Sequence, residues 1–236
     1  MNAKTRRAII AAMLLLGLLA ILLFMPLRIP ASAAGIAARS SQGSIVSGSL
    51  RDVSIGRIRV GDVNARLRLL PILAGRLGFA LQRGDAPFAP GVSGTVGRSF
   101  GGPFADQISL TLDGGSVLPG LEGSELRLEA VSFAFSGGKC QSASGTVRLR
   151  LQESALASVV RGGMIGNAQC SNGDLFLPLI SDSTMERAAI RLKSDGRFQS
   201  TFLVSAPSAE IALALGSAGF QPVSGGFRLV RSGKLR

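Results

Sequence analysis

The chain has 236 residues, a formal charge of +12, two cysteines and no histidine, tryptophan or tyrosine. Without histidine there is no Ser-His-Asp triad, no imidazole acid–base chemistry and little prospect of a metal site. The positive charge is mostly arginine spread along alternating segments, not blocked beside stacking aromatics, so nucleic acid is not an expected partner.

Residues 1–7 form a short N-terminus carrying Lys4, Arg6 and Arg7. Ala8 to Leu27, AIIAAMLLLGLLAILLFMPL, is uncharged and apolar throughout. About twenty such residues in a helix match the roughly 30 Å hydrocarbon core of a bilayer. The basic flank stays in the cytoplasm under the positive-inside tendency, which places the rest of the chain on the far side. A cleaved signal peptide ending at Ala31-Ser32-Ala33 is the competing reading. The run is longer than the usual apolar region of such a peptide, and Arg28 separates it from the site, so the anchor is preferred. Either way the bulk of the chain is exported, giving a single-pass protein with a large exported domain in the anchored case.

Residues 28–42 read as a linker or strand approach. From Gly43 the text becomes short alternating runs punctuated by glycine. Gly43–Gly48 reads as a short strand, followed by Leu50, Val53 and Ile55. Ile58 and Val60, then Val63, Ala65, Leu67 and Leu69, alternate with polar residues and arginine. Period-two alternation argues strands with one face buried and the other, here the arginine side, in water. Leu70–Arg76 breaks the pattern as a short helical connector, and Leu77, Phe79 and Leu81 resume it. Gln82–Gly94 reads as a loop; Ile108, Leu110 and Leu112 form a strand closed by Asp113-Gly114-Gly115.

Leu126, Leu128 and Ala130 alternate, then the phase slips to Val131, Phe133 and Phe135, which predicts a β-bulge. Gly137-Gly138 turns the chain into a strand from Cys140 to Leu151. Gln152–Val160 reads as a short helix. Ser171-Asn172-Gly173-Asp174 and Ser194-Asp195-Gly196 are hairpin signals. Ala209–Leu215 reads as a last helix and Phe227–Val230 as a last strand. Arg66-Leu67-Arg68-Leu69 recurs as Arg148-Leu149-Arg150-Leu151, so residues 43–236 divide into two halves, 43–135 and 136–236, that duplication or chance explains equally well. The expected class is mainly β: one transmembrane helix, then an antiparallel β-rich domain, a twisted sheet, either closed or groove-like, with a few short helices.

Cys140 and Cys170 lack the partners of a zinc site and, in an oxidising compartment, read as a disulfide; two buried free thiols are the alternative. Asp52, Asp62 and Asp85 are scattered carboxylates in strand or turn contexts. Gly94-Thr95-Val96-Gly97 and Gly101-Gly102 lack the lysine and the strand–loop–helix context of a phosphate loop, and Ser205 has no base. No catalytic, cofactor or metal residues are assigned.

Several segments carry a family resemblance. They are Gly43-Ser44-Ile45-Val46-Ser47-Gly48-Ser49-Leu50, Ile58-Arg59-Val60-Gly61-Asp62-Val63, Arg66-Leu67-Arg68-Leu69-Leu70-Pro71 and Gly75-Arg76-Leu77. With Gly138-Lys139-Cys140, Ser144-Gly145-Thr146-Val147, Cys170 before Asn172-Gly173, and the terminal Ala218-Gly219-Phe220 and Gly226-Phe227-Arg228-Leu229, the chain resembles the type II secretion system protein N family (GspN). The resemblance implies an accessory inner-membrane subunit facing the periplasm, with no catalysis and no cofactor. Its partners would be other inner-membrane or periplasmic secretion subunits, met at exposed strand edges. The anchor and the connector RLRLLPILAGRL also resemble AsmA-like proteins, which would imply an apolar β groove for phospholipid. An exported enzyme is the reading the residues support least.

Overall fold

The computed structural model describes residues 6, 13, 17, 36–37, 39–44, 47–55, 58–68, 75–83, 92–116, 123–151, 163–205 and 207–234. Alternation in the sequence becomes a 16-stranded antiparallel sheet. The first strands are β1 (Ile36–Ala37), β2 (Ser40–Gly43), β3 (Ser47–Ile55), β4 (Ile58–Arg68), β5 (Arg76–Arg83), β6 (Val92–Ser99) and β7 (Gly102–Asp113). Then come β8 (Ser124–Ser136), β9 (Lys139–Leu151), β10 (Met164–Asn167), β11 (Gln169–Ser171), β12 (Asp174–Ser181), β13 (Glu186–Leu192) and β14 (Arg197–Ser205). Helix α1 (Ala209–Ser217) precedes β15 (Gln221–Val223) and β16 (Gly226–Lys234).

Nearly every strand pairs with its successor, as short glycine turns require. The order is β1-β3-β4-β5-β6-β7-β8-β9-β10-β12-β13-β14-β16-β15, with β2 beside β3 and β11 beside β12. The departure at the end follows from α1, which carries the chain past the position of β16. The chain then returns through β15 at the edge.

One face of the sheet is apolar along its length. Leu126 faces Leu149, Leu149 faces Met164, and Leu177 faces Ile190 across neighbouring strands. Ala188 faces Phe202, which faces Leu229. Because side chains alternate, the opposite face takes Arg127, Arg148, Arg187 and Arg228. Over β8–β16 that face is filled, with Val147, Leu149, Leu179 and Leu215 fully buried in one cluster. Leu215 comes from α1. Ser208 caps that helix by accepting from the Ile211 amide, and Phe220 just beyond it meets Phe202 edge-on at 5.8 Å.

The expected bulge lies at Ala130, where the β8–β9 register shifts between Glu129 and Ser132 and φ is 49°. The hairpins at Asn172-Gly173 (φ 55° and 81°) and at Gly196 (φ 81°) lie where the turn chemistry points. Gly43–Gly48 is not one strand: Gly43 ends β2 and Ser47-Gly48 begins β3, Gly43 pairs with Gly48, and the Ser44 amide donates to the Ser47 carbonyl, while residues 45 and 46 lie outside the described residues. Gly94 lies inside β6 and not in a loop. Pairing starts at Ile36, within the stretch read as a linker.

Of the expected short helices, the last is present as α1, and a 3-10 turn lies at Gly114–Ser116. No described helix is long and apolar enough to cross a membrane. The anchor 8–27 lies outside the described residues apart from helical, exposed Met13 and Gly17. Residues 70–74 of the first helical connector and the whole of the second, Gln152–Val160, lie outside them too.

Candidate interaction surfaces

Cys140 and Cys170 are disulfide-bonded, 5.5 Å apart at Cα. Between β9 and β12 the sheet is completed by a broken strand, β10 and then β11. β10 pairs with both neighbours, whereas β11 pairs with β12 alone. At the break the Ala168 amide donates to the Gly145 carbonyl, and beyond β11 the Cys140 amide donates to the Gly173 carbonyl in the β11–β12 turn at 2.7 Å. The disulfide therefore ties the unpaired flank of β11 to β9. The residues carry a structural staple, not a reactive thiol.

On the polar face, six strands place one residue each in a continuous row. Arg68 pairs with Gly78, Gly78 with Gly97, Gly97 with Phe104, Phe104 with Ala134, and Ala134 with Ser142. The Phe104 ring lies over both glycines, and a Cβ on Gly97 would come within 2.8 Å of that ring. Small residues thus leave a hollow of about 310 Å³. Arg68, Arg76, Thr95, Phe104, Asp106 and Ser132 line it, with Ser142. Arg68 Nη1 donates to the buried Thr95 hydroxyl at 3.4 Å, and the Arg76 guanidinium stands 5.9 Å over the Phe104 ring. Asp106 sits at a second bulge, where the β7–β8 register shifts between Ala105 and Ile108. The Ser132 hydroxyl donates to Asp106 at 3.2 Å and accepts from the Gln107 amide at 2.8 Å.

Further along that face, Glu125, Arg127, Glu129, Arg148 and Arg150 form a charged lattice with ion pairs Arg127–Glu125 at 2.8 Å and Arg148–Glu129 at 3.1 Å. Such exposed pairs contribute about 0–1 kcal/mol each. At the β12–β13 hairpin the buried Glu186 carboxylate accepts from both Ser181 and Ser183 hydroxyls. This satisfied knot closes a turn that has Thr184 at φ 60°.

Asp52 and Asp62 come together structurally: Asp62 accepts from the Asp52 amide at 2.8 Å where the β3–β4 register shifts. Asp85 lies outside the described residues, as do Lys4 and Arg7; Arg6 is helical and exposed. Ser205 ends β14 with its amide bonded to the Met185 carbonyl. Sequence reasoning missed the hollow and the Glu186 knot. The signals were the spacing Ser181-x-Ser183-x-x-Glu186 and glycines that fall opposite a phenylalanine only once the register is known.

Among the described residues the sheet does not close. On one side β15 covers only Gly226–Arg228 of β16, so Leu229–Lys234 pairs with β14 alone among the described residues. On the other, β1 and β2 pair only with β3 among the described residues. Unpaired backbone donors and acceptors on such edges are templates for another strand.

The model of type II secretion system (T2SS), protein N, matches residues 34–230. The chain belongs to that family. The match runs from just before β1 into β16, so it covers nearly the whole sheet. No curated protein and no solved structure matches the chain. Family membership makes the chain a component of type II secretion, which implies contact with other subunits of that system.

Proposed function

We propose that this protein N is an accessory inner-membrane subunit of the type II secretion machine, acting by protein–protein contact in the export of folded proteins across the outer membrane. Residues 8–27 anchor it once, the basic flank Lys4, Arg6 and Arg7 stays cytoplasmic, and the sheet stands in the periplasm. It carries out no catalysis and holds no cofactor. The observation that carries the reading is the family match over residues 34–230. The unpaired edge of β16 supports it, since an open edge offers backbone bonds to an extended partner segment. The apolar side of the β8–β16 half supports it over a groove for phospholipid there, because Leu149, Leu179 and Leu215 are fully buried against one another.

Deleting the gene and following a secreted protein tests this. Secretion substrates should accumulate folded in the periplasm and be released again when the full-length chain is restored. Undiminished secretion in the deletion strain would contradict it.

A further inference from the structure

The hollow on the polar face holds charges that the fold leaves unneutralised. Among the described residues the ion pairs are Arg127–Glu125, Arg148–Glu129 and Arg197–Asp195; Arg68, Arg76 and Asp106 belong to none. Two guanidiniums and a carboxylate therefore line one hollow of about 310 Å³ without pairing with each other. That volume is at the small end of the range for small-molecule sites, roughly 300–1,000 Å³.

Each group is also held in place. Arg68 is tethered to Thr95, Arg76 is stacked near Phe104, and Asp106 is fixed at its bulge by Ser132. A bulge that re-aims one side chain beside a concavity is a recurrent feature of binding sites. The floor is small, because Gly78 and Gly97 have no side chains and a Cβ on Gly78 would touch both Phe104 and Thr95.

We propose that this hollow binds a phosphoethanolamine group. The phosphate would lie between Arg68 and Arg76 with hydroxyl donors from Thr95 and Ser142, and the ammonium would lie against Asp106. Guanidiniums suit phosphate because they present several N–H donors in a fixed plane. A bare dianion would meet Asp106 as a like charge, whereas a zwitterion satisfies both signs. The group can arrive on a phospholipid or as a soluble phosphate ester, and the site is independent of the secretion role.

Titration calorimetry of the full-length protein in detergent with glycerophosphoethanolamine tests the assignment. Saturable binding is expected, weakened by about tenfold or more in Arg68→Gln and in Arg76→Gln, the loss of one charge-assisted contact. Asp106→Asn should remove the preference over glycerophosphoglycerol. Since these three side chains are exposed, unchanged thermal midpoints should accompany the losses, and Arg68→Lys, which keeps the charge, should bind between wild type and Arg68→Gln. Native mass spectrometry of the protein drawn from membranes separates the sources. Retained phosphatidylethanolamine that Arg68→Gln loses marks a lipid headgroup, and lipid-free protein that takes the soluble compound marks a soluble ester. Absence of binding, equal binding by the arginine variants, or inorganic phosphate competing as well as glycerophosphoethanolamine would overturn it.

Discussion

Asp195 illustrates how much a single turn residue does in this chain. It accepts from the Arg197 amide at 3.0 Å and pairs with the Arg197 guanidinium at 2.6 Å. The amide bond comes first in holding its carboxyl below the usual carboxylate range; desolvation opposes it next, and the guanidinium and then the charge of Lys234 add smaller lowering effects. A lowered folded-state pKa contributes stability that is present above the ordinary carboxylate pKa and fades as pH falls through the depressed value. Asp195→Asn should therefore be less stable than the wild type at neutral pH. In urea melts run from neutral to strongly acid pH, the gap should close at the acid end. Cys140 and Cys170 act on a larger scale, because they close a loop of sequence separation 30. Reduction should cost about 3–4 kcal/mol by chain entropy, read as a lower urea midpoint for the reduced protein. Asn172-Gly173 and the Ala130 bulge were legible in the sequence because each depends on a few adjacent residues. Glu186 and the Arg68, Arg76, Asp106 hollow were not, because their partners come from other strands or a folded-back turn.

At the level of elements, period-two alternation located most long strands, whereas short ones such as β10 and β15 have too few residues to show a period. Their positions are set by neighbours. β10 lies so close to β12 that a Cβ on Gly166 would come within 1.6 Å of the Pro178 carbonyl oxygen. Gly166→Ala should push β10 off β12 and destabilise the seam that the disulfide guards. Amide exchange of Met164–Asn167 and of Leu179–Ser181 should speed up in that variant, while exchange in β4 and β5 stays slow. α1 was readable from its composition, yet its burial of Leu215 over the apolar face could not be read without the sheet beneath it.

Over the whole molecule, the sequence already contained the mainly β, antiparallel class and the family resemblance. It did not contain the openness of the sheet, which depends on where the last strands pair. Among the described residues the sixteen strands do not close, and the side of β16 away from β14 is unpaired from Leu229 to Lys234, an edge blunted by Arg231 and Lys234 against indiscriminate pairing. A filled core with a guarded open edge is what a contact subunit needs. The most direct measurement is in-cell crosslinking from a photoreactive residue at Ser232, followed by affinity capture of the full-length chain and identification of bound proteins and lipids. Stoichiometric capture of secretion-system subunits through that edge is the expected result. Phospholipid recovered without any such subunit would contradict the secretion role.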